Sequence, residues 1–286
     1  MPDNLDAGHW LDKFKLREFP EPECVTLKYP VLLCHGYGAI TALTKPSPLY
    51  DAAMVMRIHN VPAFAPNIVP YAQIETRAES WVILIRKLLH QLNCSKLNVI
   101  AHSMGGLDMR YALSKLGAAS VIESLTTIST PHRGTSLAEL VLNAPQAIRD
   151  KVAGFLDWMG DHVYPDTKND STASVKQLTP EYAATRFNPS VPDVDGVAYY
   201  SYSAAVGKGT DEPIQVLARY QNNYVYQAEG LNDGMISVQS ARWGEHIGTC
   251  NISHLEQLNF GIRNERKPLF EAFWLDVIKM LEANGH

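Results

Sequence analysis

The sequence predicts an α/β fold built on a mostly parallel sheet, and three observations carry that expectation. VLLC (31–34) is a short unbroken apolar run that suits a parallel strand buried on both faces, and LNVIA (97–101) and SLTTIST (124–130) read as further strands. Stretches with apolar residues at helical spacing alternate with them, and such alternation implies right-handed crossovers. The composition, 46% hydrophobic against 19% charged over 286 residues, is that of a packed domain with a sizeable core.

Taken in order, VLLC ends in HGYG (35–38), and residues 49–59 read as a short helix before an extended VPAFAPNIV (61–69). TRAE (76–79) reads as a capping box, with Trp81, Ile85, Leu88, Leu89 and Leu92 behind it at helical spacing. LNVIA is the next strand, 105–116 a helix closed by Gly117, and SLTTIST another strand. From 136 to 158 the chain is amphipathic through Leu137, Leu140, Val141, Ile148, Val152, Phe155 and Leu156, and from 161 to 174 it turns polar and loop-like. The sheet signal returns with VAYYSYSAAV (197–206) and MISVQSARW (235–243). A final helix from about Asn264 carries the stripe Phe270, Phe273, Trp274, Val277, Ile278 and Leu281. No composition shift marks a linker, so 1–286 reads as one domain with a helical lid or cap insertion at 136–175.

Several function classes fall away. A net charge of −5 gives no electrostatic case for nucleic acid. No apolar run is long enough to span a membrane; even WVILIRKLLHQL is broken by Arg86 and Lys87. MPDNLDAGHWLDKFK lacks the basic start and apolar middle of a signal peptide, which leaves an intracellular protein or one whose signal has been removed. Cys24, Cys34, Cys94 and Cys250 match neither a zinc site nor a disulfide scaffold, and Cys34 and Cys94 read as buried free thiols.

The chemistry centres on Ala101-His102-Ser103-Met104-Gly105, a small-x-Ser-x-small elbow between a strand and a helix. Such a turn presses its small positions against neighbouring backbone and lifts the serine hydroxyl clear of the sheet. A serine needs a base, and in this arrangement an acid and then a histidine follow it along the chain. His9, His35, His59, His90 and His102 precede Ser103; His132 follows too soon; His162 lies in the polar stretch; His286, the last residue, reads as mobile. His254 and His246 remain, with His254 in NISHLEQLNF preferred and Asp233 in GLNDGMISV as the acid. Two backbone N–H groups would form an oxyanion hole, that of Met104 after the serine and that of Tyr37 after Gly36.

These segments, with STPHRGTSLAEL, LTPEYAATRFNPSVPDVDG and SHLEQLNF, resemble in the same order those of the triacylglycerol lipases of the α/β-hydrolase fold, over roughly residues 30–262. The likeness is to the Pseudomonas/Burkholderia-type bacterial lipases and their fungal relatives. The resemblance implies Ser103 as nucleophile, Asp233 as acid, His254 as base, Tyr37 and Met104 as oxyanion donors, and a mobile lid within about 136–164. It also implies lipid ester substrates met at a lipid–water interface, a monomer, and no cofactor for catalysis. Two departures stand out. Gln239 occupies the place of a disulfide cysteine. Glu256 and Phe260 occupy places of a structural calcium site, so calcium is not favoured although Glu256 and Asp211 could contribute oxygens; Glu256 reads more simply as a solvated carboxylate. Asp108, Arg110, His102 and Arg133 read as structural partners rather than chemistry. A lipid acyltransferase using the same acyl-enzyme, and a non-catalytic binding module on the same fold, are the alternatives.

Overall fold

The computed structural model describes residues 22–36, 46–143, 145 and 168–286. Six strands, β1 (Val31–Cys34), β2 (Ala63–Phe64), β3 (Leu97–His102), β4 (Ile122–Ile128), β5 (Ala198–Ala204) and β6 (Glu245–Cys250), form one sheet in the order β2-β1-β3-β4-β5-β6. Every pairing is parallel. The winding reverses between β1 and β3, so the loops that follow these two strands leave the sheet side by side. Ligands of open α/β sheets bind at such a switch point, beyond the C-terminal strand ends.

Alternate strand residues feed two cores. Val31, Leu33 and Ile100 pack with helix α1 (Tyr50–Ile58) and the closing helix; Leu32, Cys34, Val99 and Ala101 pack with α2 (Ile74–Leu92) and α3 (Met104–Lys115). A third apolar cluster lies over the strand ends. It joins Met104 and Leu107 to Leu137, Ala138 and Val141 of α4 (Ser136–Asn143), Val175 of α5 (Lys168–Lys176), Val225 of α6 (Arg219–Glu229), and Met235 and Ile236. A short helix, α7 (Val238–Ala241), and a long closing one, α8 (Lys267–Ala283), complete the outline, and the expected stripe of Phe270, Phe273, Trp274, Val277, Ile278 and Leu281 on α8 is buried throughout. Among the described residues no helix is long and apolar enough to cross a membrane.

The elements depart from expectation where side chains from elsewhere decide. TRAE is not a helix start: α2 begins at Ile74, whose N–H is met by Gln177 Oε1 at 2.7 Å, so a distant side chain supplies the cap. MISVQSARW is not a strand. Ser237 bridges to Asn232 and then caps α7 by accepting from Ser240 N, while the edge strand is EHIGTC. The polar stretch ending at Ser174 is helical from Lys168, and the extended 61–69 pairs only at Ala63 and Phe64 because Pro62 and Pro66 flank them. Cys34 is buried, but Cys94 is only half-buried; all four cysteines are free. His286 is tethered, its Nε2 2.9 Å from the Tyr200 hydroxyl and its carbonyl accepting from Lys28 N at 2.7 Å. Of the expected insertion, 144 and 146–167 lie outside the described residues, as does Tyr37.

Candidate active site

β3 runs directly into α3, and Ser103 makes the turn with φ 57° and ψ −135°, a backbone conformation that costs a non-glycine residue about 1–3 kcal/mol unless its surroundings enforce it. They do. Ser103 N–H donates to Ile128 O at 2.9 Å, and Ser103 O accepts from Thr130 Oγ1 at 2.8 Å and from Gly106 N at 3.0 Å. The small positions are needed for the reason the motif implies: a Cβ on Gly105 would sit 2.6 Å from Cys34 O. The loop after β1 presses equally close, since a Cβ on Gly36 would meet Ser103 Cβ at 2.6 Å and Met104 N at 3.0 Å.

Arg77 holds that loop. Fully buried on α2, it donates from Nη2 to His35 O (2.8 Å) and Gly36 O (3.0 Å), and from Nη1 to Val69 O (2.9 Å) and Pro70 O (3.2 Å). Its Nε donates to Asp108 Oδ2 at 2.9 Å, which ties the loop to the serine's own helix. Burial pushes the Asp108 carboxyl up to about 6 against the pull of Arg77 and the Trp81 indole. His35 is fixed as one tautomer. Ile68 N–H donates to its Nε2 at 3.2 Å, so Nδ1 carries the proton given to Gly36 O at 2.9 Å. Burial, with Arg77 nearby, lowers its pKa to about 3.

Asp233 and His254 meet from two later loops. Asp233 Oδ1 accepts from Met235 N (2.9 Å) and Ile236 N (2.8 Å), its Oδ2 lies 2.7 Å from His254 Nδ1, and His254 N–H donates to Asp233 O at 3.0 Å. Both side chains are buried. A ring that gives its Nδ1 proton to a carboxylate carries its lone pair on Nε2, the state a general base requires. The Asp233 turn is braced by an amide pair: Asn222 Nδ2 donates to Asn232 Oδ1 at 2.8 Å, and Gly234 N–H donates to the same oxygen at 2.9 Å.

His102, which precedes the serine, brings the two halves together. Its ring centroid is 4.5 Å from that of His254, and its Nε2 lies 3.0 Å from Gln257 Oε1, whose amide nitrogen donates to Ser129 Oγ at 3.0 Å. Burial first, and the neighbouring His254 second, lower its pKa well below that of a free imidazole, so it stays neutral. His246 instead sits on β6 with its Nε2 3.0 Å from Ser203 Oγ, apart from Asp233. Arg110 is structural: its guanidinium lies 3.5 Å over the Trp243 ring and donates to Asn188 Oδ1 and Val191 O. Arg133 is likewise engaged with the Gln239 and Arg242 carbonyls.

The expected solvated Glu256 is corrected. It is buried and paired with Arg266, Oε1 to Nε at 3.0 Å, while Asp211 is exposed elsewhere. A hard cation seeks six or more oxygens, and a guanidinium already occupies this carboxylate. Among the described residues no group of three or more His, Cys, Asp or Glu could hold a metal ion. Sequence reading missed Arg77, Asn222 and Arg266, whose roles arise from long-range contacts; only Asn232, inside the NDG turn, carried a local signal.

A parallel sheet with a serine elbow at the switch point, and a buried acid–imidazole pair packed on the residue before that serine, is the architecture of an α/β-hydrolase fold. No family model matches the chain. Triacylglycerol lipase 2 of Saccharomyces cerevisiae is 30% identical over 200 residues, covering 66% of this chain and 55% of its own, so the chain spans about half of that relative. Triacylglycerol lipases of Pseudarthrobacter phenanthrenivorans (25% identical; 82% of this chain, 91% of theirs) and Pseudomonas fragi (24%; 92% and 99%) match over more of their length. Among solved structures, a metagenomic carboxyl esterase superposes with a TM-score of 0.71 at 18% identity, over 94% of this chain and 80% of that one. The mature lipase BlEst2 of Bacillus licheniformis gives 0.62 at 18%, over 90% and 96%. The structural likenesses establish the α/β-hydrolase fold, and the sequence relatives that the chain resembles are triacylglycerol lipases.

Proposed function

We propose that the chain is a serine carboxylic ester hydrolase that acts on acylglycerol esters through an acyl-enzyme on Ser103. Ester hydrolysis as a class is supported by the relatives, which are named triacylglycerol lipases. The observation that carries the assignment of residues is the buried 2.7 Å pairing of His254 Nδ1 with Asp233, one ring away from the strained serine turn. In this reading His254 Nε2 takes the Ser103 proton as Oγ attacks the ester carbonyl, and Asp233 orients the ring and stabilises its positive charge. The Met104 N–H, and that of Tyr37 outside the described residues, hold the tetrahedral oxyanion. Collapse expels the alcohol with the proton from His254. A water molecule, deprotonated by the same ring, then attacks the acyl-enzyme, releases the fatty acid and restores the serine. Residues 136–175 act as a lid, with Leu137, Ala138 and Val141 of α4 in one apolar cluster with Met104.

The test is fatty-acid release from triglycerides of increasing chain length, measured through the solubility limit. The expected result is release by the wild type, a rise in rate once droplets form, and no release by Ser103→Ala. Absence of release from any acylglycerol would overturn the substrate class, and a rate that ignores droplets would overturn the lid.

A further inference from the structure

Arg266, in the turn before α8, is charged, buried and outside the machinery described so far. Its guanidinium ties the loop after β6 to the loop after β5. Nε donates to Glu256 Oε1 at 3.0 Å, Nη2 reaches Glu256 Oε2 at 3.4 Å and the Asn251 carbonyl, and Nη1 donates to Glu212 Oε2 at 2.8 Å. The two carboxylates carry the hold further. Glu256 Oε2 accepts from Ser253 N at 2.8 Å, and Glu212 Oε1 accepts from Asn251 Nδ2 at 3.1 Å. The residues so fixed, 251, 253 and 256, bracket His254 in sequence.

The loop's attachments divide in two. After His254 it is held by Gln257, through His102 and Ser129, and by the pairing of Glu256 with Arg266. Between the end of β6 and His254, Asn251 and the Ser253 N–H are held by Arg266 or by carboxylates that Arg266 neutralises, and the Ser253 hydroxyl donates to Gln215 Oε1 at 3.4 Å. A buried carboxylate whose counter-charge is removed is strongly unfavourable and will move or take up a proton. Lysine cannot replace the fork, because a point charge cannot span two carboxylates and a carbonyl with fixed angles.

We propose that Arg266 is a positioning residue. Through Glu256, Glu212 and Asn251 it sets the loop that carries His254, so that the imidazole keeps its bond to Asp233 and its aim at the serine. The inference rests on the reading of His254 as the base.

The experiment compares Arg266→Met, Arg266→Lys and the double variant Arg266→Met/Glu256→Gln with the wild type, with Arg263→Gln as a control. The Arg263 side chain makes an exposed ion pair with Glu265 at 3.7 Å, and the substitution leaves its carbonyl, which accepts from Arg266 N, in place. Arg266→Met is expected to lower kcat about tenfold to a hundredfold with little change in KM, since small misplacement of a catalytic group costs that much. Arg266→Lys should fall between it and the wild type, and the double variant should recover part of the loss because the stranded carboxylate is gone. Free guanidinium ion at low concentration should partly rescue Arg266→Ala.

A readout that does not depend on turnover accompanies these: the downfield proton resonance of the His254 Nδ1–H shared with Asp233. It should shift or broaden in Arg266→Met and in Arg266→Ala, and in Arg266→Ala return with guanidinium. A folded Arg266→Met with wild-type kcat and an unchanged resonance overturns the proposal. Should Arg266→Met fail to fold, Arg266→Lys decides by the same two measurements. If His254→Ala stays active while the resonance still answers to Arg266, the reading of the base fails and the positioning of the imidazole stands.

Discussion

The two halves of the site are built by different means. The serine half is made by regular structure: β3, α3 and the β1 loop meet so closely that glycine is forced at 36 and 105, and backbone hydrogen bonds hold Ser103 at positive φ. The acid–base half rides on loops after α6 and β6, held by side chains: Asn222 and Asn232 under Asp233, and Gln257, Glu256 and Arg266 around His254. A half made by strand and helix is fixed once the sheet forms. A half held by amides and ion pairs can be loosened one bond at a time, so variants there should scale activity rather than abolish the fold.

The largest effect should come from the serine half. Ser103→Ala is expected to lower turnover by about a millionfold, as triad knockouts do, with an unchanged melting temperature. In the other half, Asp233→Asn and His254→Ala should each cost several orders of magnitude, and their combination little more than the worse single change, because the three act as a unit. If His246→Ala were the inactive variant, the pairing seen for His254 would be the wrong one.

The glycines test how rigid the serine half is. Gly105→Ala places a methyl 2.6 Å from the Cys34 carbonyl, so backbone must shift, and stability should fall by about 1–3 kcal/mol together with activity. A fully stable and active Gly105→Ala would show the elbow to be softer than its contacts imply.

A smaller effect concerns protons. His35 is held neutral with its pKa lowered to about 3 from 6.5. Its unfolded form therefore binds a proton that the folded form refuses, so the stability it contributes is present above about pH 6.5 and is lost as pH falls toward 3. His102 and His132 are lowered too, by burial first, and add in the same direction. Urea midpoints measured across that window should drop with falling pH, and His35→Asn should flatten the slope by about 1.4 kcal/mol per pH unit, one proton's worth. The smallest effect is a null one. With Cys24, Cys34, Cys94 and Cys250 all free, strong reductant should leave the melting temperature where it was.

The same contrast explains what could be read from sequence. VLLC, LNVIA and SLTTIST became strands, and the elbow at Ser103 sat where they predicted, because its requirements are local: small residues, a strand before, a helix after. Asp233 and His254 could be nominated by order and spacing and were reinforced by the resemblance, but their pairing depends on a contact across 21 residues and two loops. Arg77 and Arg266 were invisible for the same reason. Each looks like an ordinary charged residue in a helical stretch, and only the fold shows that their partners are the carbonyls and carboxylates of remote loops. MISVQSARW misled because apolar alternation at Met235 and Ile236 reflects burial over the strand ends, not a ladder.

The central claim is that Ser103 is a nucleophile armed by His254 and Asp233. A fluorophosphonate reacts far faster with a serine so armed than with an ordinary hydroxyl, and mass spectrometry of the digested adduct locates the bond. The account predicts one adduct, on the peptide that contains Ser103, absent from Ser103→Ala and formed far more slowly by His254→Ala and Asp233→Asn. An unlabelled wild type, or an adduct on another residue that survives Ser103→Ala, would contradict it.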